Sequence, residues 1–198
     1  TAMTNAARIN FPRDRMMYVT FGAAEEDMYP AGDAAIGTYA VANALPGEYP
    51  LVKDIKSKVY GSGKGNLADE SRIGSVYWNR GLGAAVMWIE GLRNAQKMHN
   101  KMGKAVNGAE FRDGYEAINM NEARMKALGI DGMLAPFAIS CENHEGAGKF
   151  AVMQWDGEKF NQVTGWEAPL DPKFIRGLVE TSAAKFAKEN NITPKKCG

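Results

Sequence analysis

The sequence predicts an α/β fold, a sheet flanked by helices with an antiparallel addition. Three observations carry that prediction. Segments with helical apolar spacing alternate with short strand-like runs, which is the order of an α/β chain. Asp156-Gly157 stands between two apolar runs, Lys149–Trp155 and Lys159–Thr164, a strong short signal for a β-hairpin. Between Ser71 and His99, the residues Val76, Leu82, Ala85, Val86, Ile89, Leu92 and Ala95 recur at steps of three and four. That spacing is a helix. Trp78, Met87 and Trp88 add apolar surface away from the stripe, so the helix is expected to be buried over most of its circumference.

The elements follow in order. Thr1–Asn10 reads as the end of a helix, stopped by Pro12. Met16–Phe21 is a short apolar run, hence a buried strand, and it ends at Gly22. Gly37–Asn43 alternates and reads as a second strand. Leu51–Tyr60 places Val52, Ile55 and Val59 on one face of an amphipathic surface helix. Gly61–Asn66 is glycine-rich, but Lys64 is followed by Gly65 where a phosphate-binding loop needs Ser or Thr, so it is a plain loop. After the long helix, Gly108–Leu128 is expected to contain a helix ending at Gly129. Pro136–Ser140 is a short extended run, and Cys141–Gly148 is a polar loop. Asp171–Asn190 supplies the last helix, with Phe174, Leu178, Ala184 and Phe186 as its apolar marks and Pro172 at its start.

Composition narrows the function classes. The chain has 198 residues, enough for one large or two small domains, and 45% hydrophobic content is ample for a core. A net charge of +1 argues against a nucleic-acid partner, which usually requires a basic excess. No apolar run approaches the ~20 residues of a membrane span. No signal peptide stands at Thr1, and a start without Met in a helix-like segment is expected of a processed or truncated chain. The two cysteines, Cys141 and Cys197, either form one bridge that ties down the C-terminus or remain separate thiols.

Chemistry-bearing patterns are sparse. Cys141, Glu142, Asn143, His144 and Glu145 lack a second Cys/His pair at zinc spacing. Cys141 and His144 lie three apart on a loop with no positioned third group, so a nucleophile pair is unsupported. Glu25, Glu26 and Asp27 read as a solvated turn or a helix start. Tyr77, Asn79 and Arg80 at the head of the long helix can stack or hydrogen-bond. They either border a ligand crevice or pack and cap locally. Aromatic and polar lining without an acid, base and nucleophile set fits a binding module rather than an enzyme, and no cofactor or metal is expected.

Four stretches carry a resemblance: Ala31–Gly37, Tyr77–Gly81, Cys141–Gly146 and Gln154–Gly157. In their order and spacing the chain resembles the C-terminal part of type I periplasmic solute-binding proteins of ABC importers, the group that serves branched-chain amino acids, amides and aromatic acids. The resemblance implies a Rossmann-like three-layer lobe of an incomplete two-lobe fold. Residues 1–66 would be a second-lobe segment. Residues 67–140 would cross to the first lobe, and 141–198 would return through a hinge loop to a second-lobe hairpin and final helix. It implies non-catalytic capture of a small solute in the periplasm, with permease subunits in the inner membrane and the missing N-terminal half as partners. The alternatives are a ligand-sensing receptor ectodomain of the same fold or a non-binding fragment of the transport protein. Carried over by position, Thr20, Phe21, Gly22 and Ala23 form the ligand-facing loop, with Tyr77, Asn79 and Arg80 beside it. Phe21 stands where amino-acid binders carry an acidic residue, which points to an apolar or aromatic carboxylate. Arg80 or Asn79 would meet the carboxylate, or Arg80 would form a hinge salt bridge. An oxidising periplasm favours a Cys141–Cys197 bridge.

Overall fold

A computed structural model describes residues 1–194, 196 and 197. Its main sheet is built from four short strands in the order β1 (Val19–Phe21), β2 (Tyr39–Ala42), β5 (Ala151–Trp155) and β6 (Phe160–Gln162). β1 and β2 run parallel, with Val19 opposite Tyr39 and Phe21 opposite Val41. β5 lies antiparallel to β2, pairing Tyr39 with Gln154 and Ala42 with Ala151. The predicted hairpin joins β5 to β6. Asp156 closes its turn, accepting the backbone N–H groups of Glu158 and Lys159 and the Asn161 amide. Those donors hold the Asp156 carboxyl down to about 2.

Alternation along the strands selects the inner face. Ala40 and Ala42 of β2 and Ala151, Met153 and Trp155 of β5 are buried. They join Ala23, Ala24, Met28, Ala35, Leu45, Val76 and Phe160 in one core. The small residues bring backbone and helix close, and Trp155 fills the space against Phe160 at 5.2 Å between rings.

A second core forms from the middle of the chain. The helices α4 (Val76–Met98), α5 (Gly108–Tyr115) and α6 (Glu122–Leu128) pack around a two-stranded ribbon of β3 (Asn119–Met120) and β4 (Phe137–Ala138). Val86, Ile118, Met120, Met125, Ile130, Met133 and Ile139 are its buried members. α4 and α5 cross at small residues. A Cβ added to Gly114 would lie 2.3 Å from the Ala95 nitrogen and the Gly91 carbonyl oxygen, so only glycine permits this approach. Asn107 and Glu110 cap α5 reciprocally. Around these units stand α1 (Ala2–Arg8), α2 (Glu25–Met28), α3 (Pro50–Ile55) and α7 (Pro172–Glu189). Among the described residues no helix is long and apolar enough to cross a membrane.

Four expectations change in detail. The strand expected over 16–21 shrinks to β1, with Met16 and Met17 exposed, because the Arg13–Arg15 turn precedes it. The stretch 108–128 contains the expected helix ending at Gly129, α6, and adds α5 and β3 before it. α4 is not buried all round: Trp88, Ile89 and Leu92 are exposed, while Val76, Gly83, Val86, Gly91 and Ala95 face inward. The apolar marks of α7 are exposed as well, and none of its residues is buried.

Candidate functional site

β1 ends at Phe21, and Gly22 turns the chain with φ of +72°, a conformation that favours glycine. The Gly22 N–H donates to Val41 O at 2.8 Å, which locks the turn to β2. Its carbonyl accepts Arg80 Nη2 at 3.0 Å. The Arg80 guanidinium also lies over the Tyr77 ring at 5.2 Å. The end of β1 and the head of α4 therefore form one continuous surface.

The acidic run secures that surface. Glu25 Oε2 accepts the Val76 N–H at 2.9 Å, and Glu26 Oε1 accepts the Ser75 hydroxyl at 3.1 Å. Asp27 Oδ2 accepts the Tyr77 hydroxyl at 2.6 Å and the Ala24 N–H at 2.9 Å. Three carboxylates thus gather at the positive end of α4. Of the two expected readings the helix start holds, since the run opens α2, and it also docks the head of α4. Burial pushes the Glu25 carboxyl above its ordinary value, outweighing the Val76 hydrogen bond. Tyr77 is raised, chiefly by donating to Asp27.

The other predicted positions divide. Phe21 is 78% exposed and forms one wall of a cavity of about 480 Å³. That volume is in the range of small-molecule sites. Asn43 borders the cavity beside Phe21, because β1 and β2 are parallel and end at the same edge. Met87, Tyr115, Leu134 and Phe137, which pack on the second core, line it too, as does the 144–150 loop with His144 and Phe150. The cavity lies where the two cores meet. Thr20, Gly22, Ala23, Tyr77 and Arg80 stand outside this lining; Ala23 is buried, and Arg80 braces Gly22 from behind. Asn79 is wholly enclosed. Its amide donates to Leu45 O, Gly47 O and Gly74 O, so it staples backbone and faces no solvent.

Asn43, Tyr115, Phe137, His144 and Phe150 line this candidate cavity and were not singled out from the sequence. Asn43 had a readable signal, the shared edge of parallel strands. The others meet Phe21 only through the tertiary fold. His144 Nε2 lies 3.4 Å from Glu116 Oε1, and Trp88, Phe111 and Tyr115 stack in series at 5.0 and 5.8 Å. A larger hollow of about 590 Å³ has Glu25, Asp69, Arg72, Glu158 and Lys159 in its wall, and of these Glu25 already holds Val76 and Asp69 holds Arg72. Among the described residues no group of three His, Cys, Asp or Glu side chains could hold a metal ion. Cys141 and Cys197 are bonded, with Cα atoms 5.7 Å apart.

No protein-family model matches the chain, and no curated protein matches it. Solved structures do. A structure described as an ABC transporter permease from the Pseudomonas fluorescens group shares 36% identity at a TM-score of 0.89, covering 100% of this chain and 47% of that one. A branched-chain amino acid ABC transporter protein from Thermus thermophilus, with bound valine, superposes at 0.64 with 19% identity over 85% of this chain and 43% of its own. An ABC transporter substrate-binding protein from Aeropyrum pernix gives 0.63 at 13% identity over 90% and 44%. The chain spans about half the length of each. The chain is thus similar in sequence and fold to the Pseudomonas fluorescens-group ABC transporter protein, and similar in fold to the Thermus thermophilus and Aeropyrum pernix proteins.

Proposed function

We propose that the chain is the C-terminal half of a two-lobed substrate-binding protein that captures a small organic solute for an ABC importer. The cavity between the two cores, lined by Phe21, Tyr115 and Phe137, carries the proposal. In this reading residues 1–66 and 141–198 build the second lobe, and 67–140 belong to the first. The exposed Trp88, Ile89 and Leu92 of α4 then meet the other half of the protein, which supplies the rest of the cleft. Permease subunits and a periplasmic setting follow from the same reading. An aromatic, mostly apolar lining favours a solute with a flat or branched apolar body. Binding is non-catalytic: the ligand selects the closed state and shifts the lobes toward it.

The test is a thermal-shift screen of the protein carrying both halves, using branched-chain amino acids, amides and aromatic carboxylates, followed by calorimetry on any member that raises Tm. Phe21→Ala is the informative variant. Phe21 is mostly exposed, so its removal leaves stability nearly unchanged, yet it weakens the solute by about tenfold if an aromatic contact of about 1.5 kcal/mol is lost. The proposal fails if no class shifts Tm, or if the variant binds as tightly as the parent.

A further inference from the structure

α7 is an 18-residue helix that buries no residue. Phe174, Ile175, Leu178, Val179 and Phe186 are all exposed along it. A helix of this length gains most of its stability in proteins from packing an apolar face, and α7 has none packed. Its attachments converge on one short segment. Arg176 Nη2 donates to Glu142 O at 2.8 Å, and Nη1 pairs with Glu145 Oε1 at 3.2 Å. Beyond the helix, Cys197 is bonded to Cys141. The anchors at Cys141, Glu142 and Glu145 thus lie in the loop whose residues 144–148 rim the cavity. Both cysteines are half-buried, within reach of a small reductant.

We propose that the Cys141–Cys197 bond and Arg176 form a redox-operated clasp, which holds α7 in place and at the same time fixes the 141–148 rim of the cavity. An exposed ion pair is weak, so the covalent bond is the stronger of the two fastenings. A small dithiol opens it. One thiolate attacks a cysteine sulfur, forming a mixed disulfide and expelling the other cysteine as a thiolate. The second thiol then displaces the remaining cysteine and closes the reductant into its cyclic disulfide. The protein gains two electrons and two protons, and the dithiol loses them. Among the described fastenings of α7 Arg176 then remains, and the rim loses its tether. The clasp does not depend on the cavity taking a solute, so its test uses no ligand.

Hydrogen exchange and limited trypsin digestion, read by mass spectrometry, compare the oxidised protein with the same protein in dithiothreitol. A Cys197→Ser variant checks the reduced state without reagent, and Arg176→Ala with the bond intact isolates the ion pair. Reduction is expected to speed exchange of 172–189 and cleavage at Lys173, Lys185 and Lys188 by at least tenfold. Exchange of 142–148 is expected to rise with it, while β2 and β5 stay unchanged. Arg176→Ala is expected to give a smaller rise confined to the first turns of α7. Exchange of α7 within twofold of the oxidised protein overturns the proposal. So does a uniform rise across β2 and β5, which would make the bond a global stabiliser rather than a local clasp.

Discussion

Replacing Asn79 with alanine separates a structural staple from a ligand contact. The Asn79 amide reaches Leu45 O at 2.9 Å, Gly47 O at 3.2 Å and Gly74 O at 3.2 Å, and the residue has no solvent exposure. Gly74 O keeps the Gly47 N–H at 2.9 Å. Gly47 is exposed and its carbonyl can turn to water, so Asn79→Ala leaves one buried carbonyl, that of Leu45, without this donor. A buried acceptor left unmet costs about 1–3 kcal/mol. For a chain of this size each kcal/mol lowers Tm by roughly 2–4 °C, which places the loss at roughly 2–12 °C. Asn79→Asp is expected to be worse at neutral pH, since a carboxylate would face carbonyls with no proton to offer. Tyr77→Phe serves as the control: Tyr77 is 43% exposed, and loss of its hydroxyl bond to Asp27 should cost no more than about 1.5 kcal/mol. Thermal unfolding followed by circular dichroism measures all three. If Asn79→Ala melts within 2 °C of the parent, the staple is not one, and the residue returns to the list of ligand contacts.

Two other changes probe the helix supports. Gly114→Ala puts a methyl group 2.3 Å from the backbone of α4, and backbone cannot rotate away as a side chain can. The expected cost is at least the roughly 1–3 kcal/mol of an overpacked core, read as a lower denaturant midpoint; an unchanged midpoint would mean that α4 and α5 are free to separate. Glu25→Gln tests the sign of a buried charge. Burial raises the folded carboxyl above its ordinary 4.5, so the folded chain binds the proton more tightly than the unfolded one. Stability is then greatest below the ordinary value and falls as pH rises through the window up to the folded one. Glutamine still accepts the Val76 N–H but carries no charge. The variant should therefore lose that fall and be at least as stable as the parent at pH 7 in pH-dependent melts. A less stable variant at pH 7 would show that attraction between Glu25 and the head of α4 exceeds the cost of burying the charge.

Much of the fold was legible because local patterns specify it. Asp156-Gly157 marked the hairpin, Pro172 marked the start of α7, and helical spacing marked α4. The same spacing misjudged which side of α4 is covered. Periodicity locates an apolar stripe but cannot say what lies opposite it, and here Trp88, Ile89 and Leu92 stay exposed, with Trp88 covered in part by Phe111.

The proposed site shows the same division. Residue type and position singled out Tyr77, Asn79 and Arg80, because a polar helix head is a local feature, and the family resemblance joined Thr20, Phe21, Gly22 and Ala23 to them. Tertiary structure alone assigned their parts: Phe21 to the cavity, Arg80 and Tyr77 to the brace behind Gly22, and Asn79 to the backbone staple. It also decided that Cys141 meets Cys197 across 56 residues, and that Tyr115 and Phe137 line the same cavity as Phe21. The physical reason is sequence distance. Short-range steric and hydrogen-bonding preferences act within a few residues, whereas these contacts exist only after two cores have closed against each other.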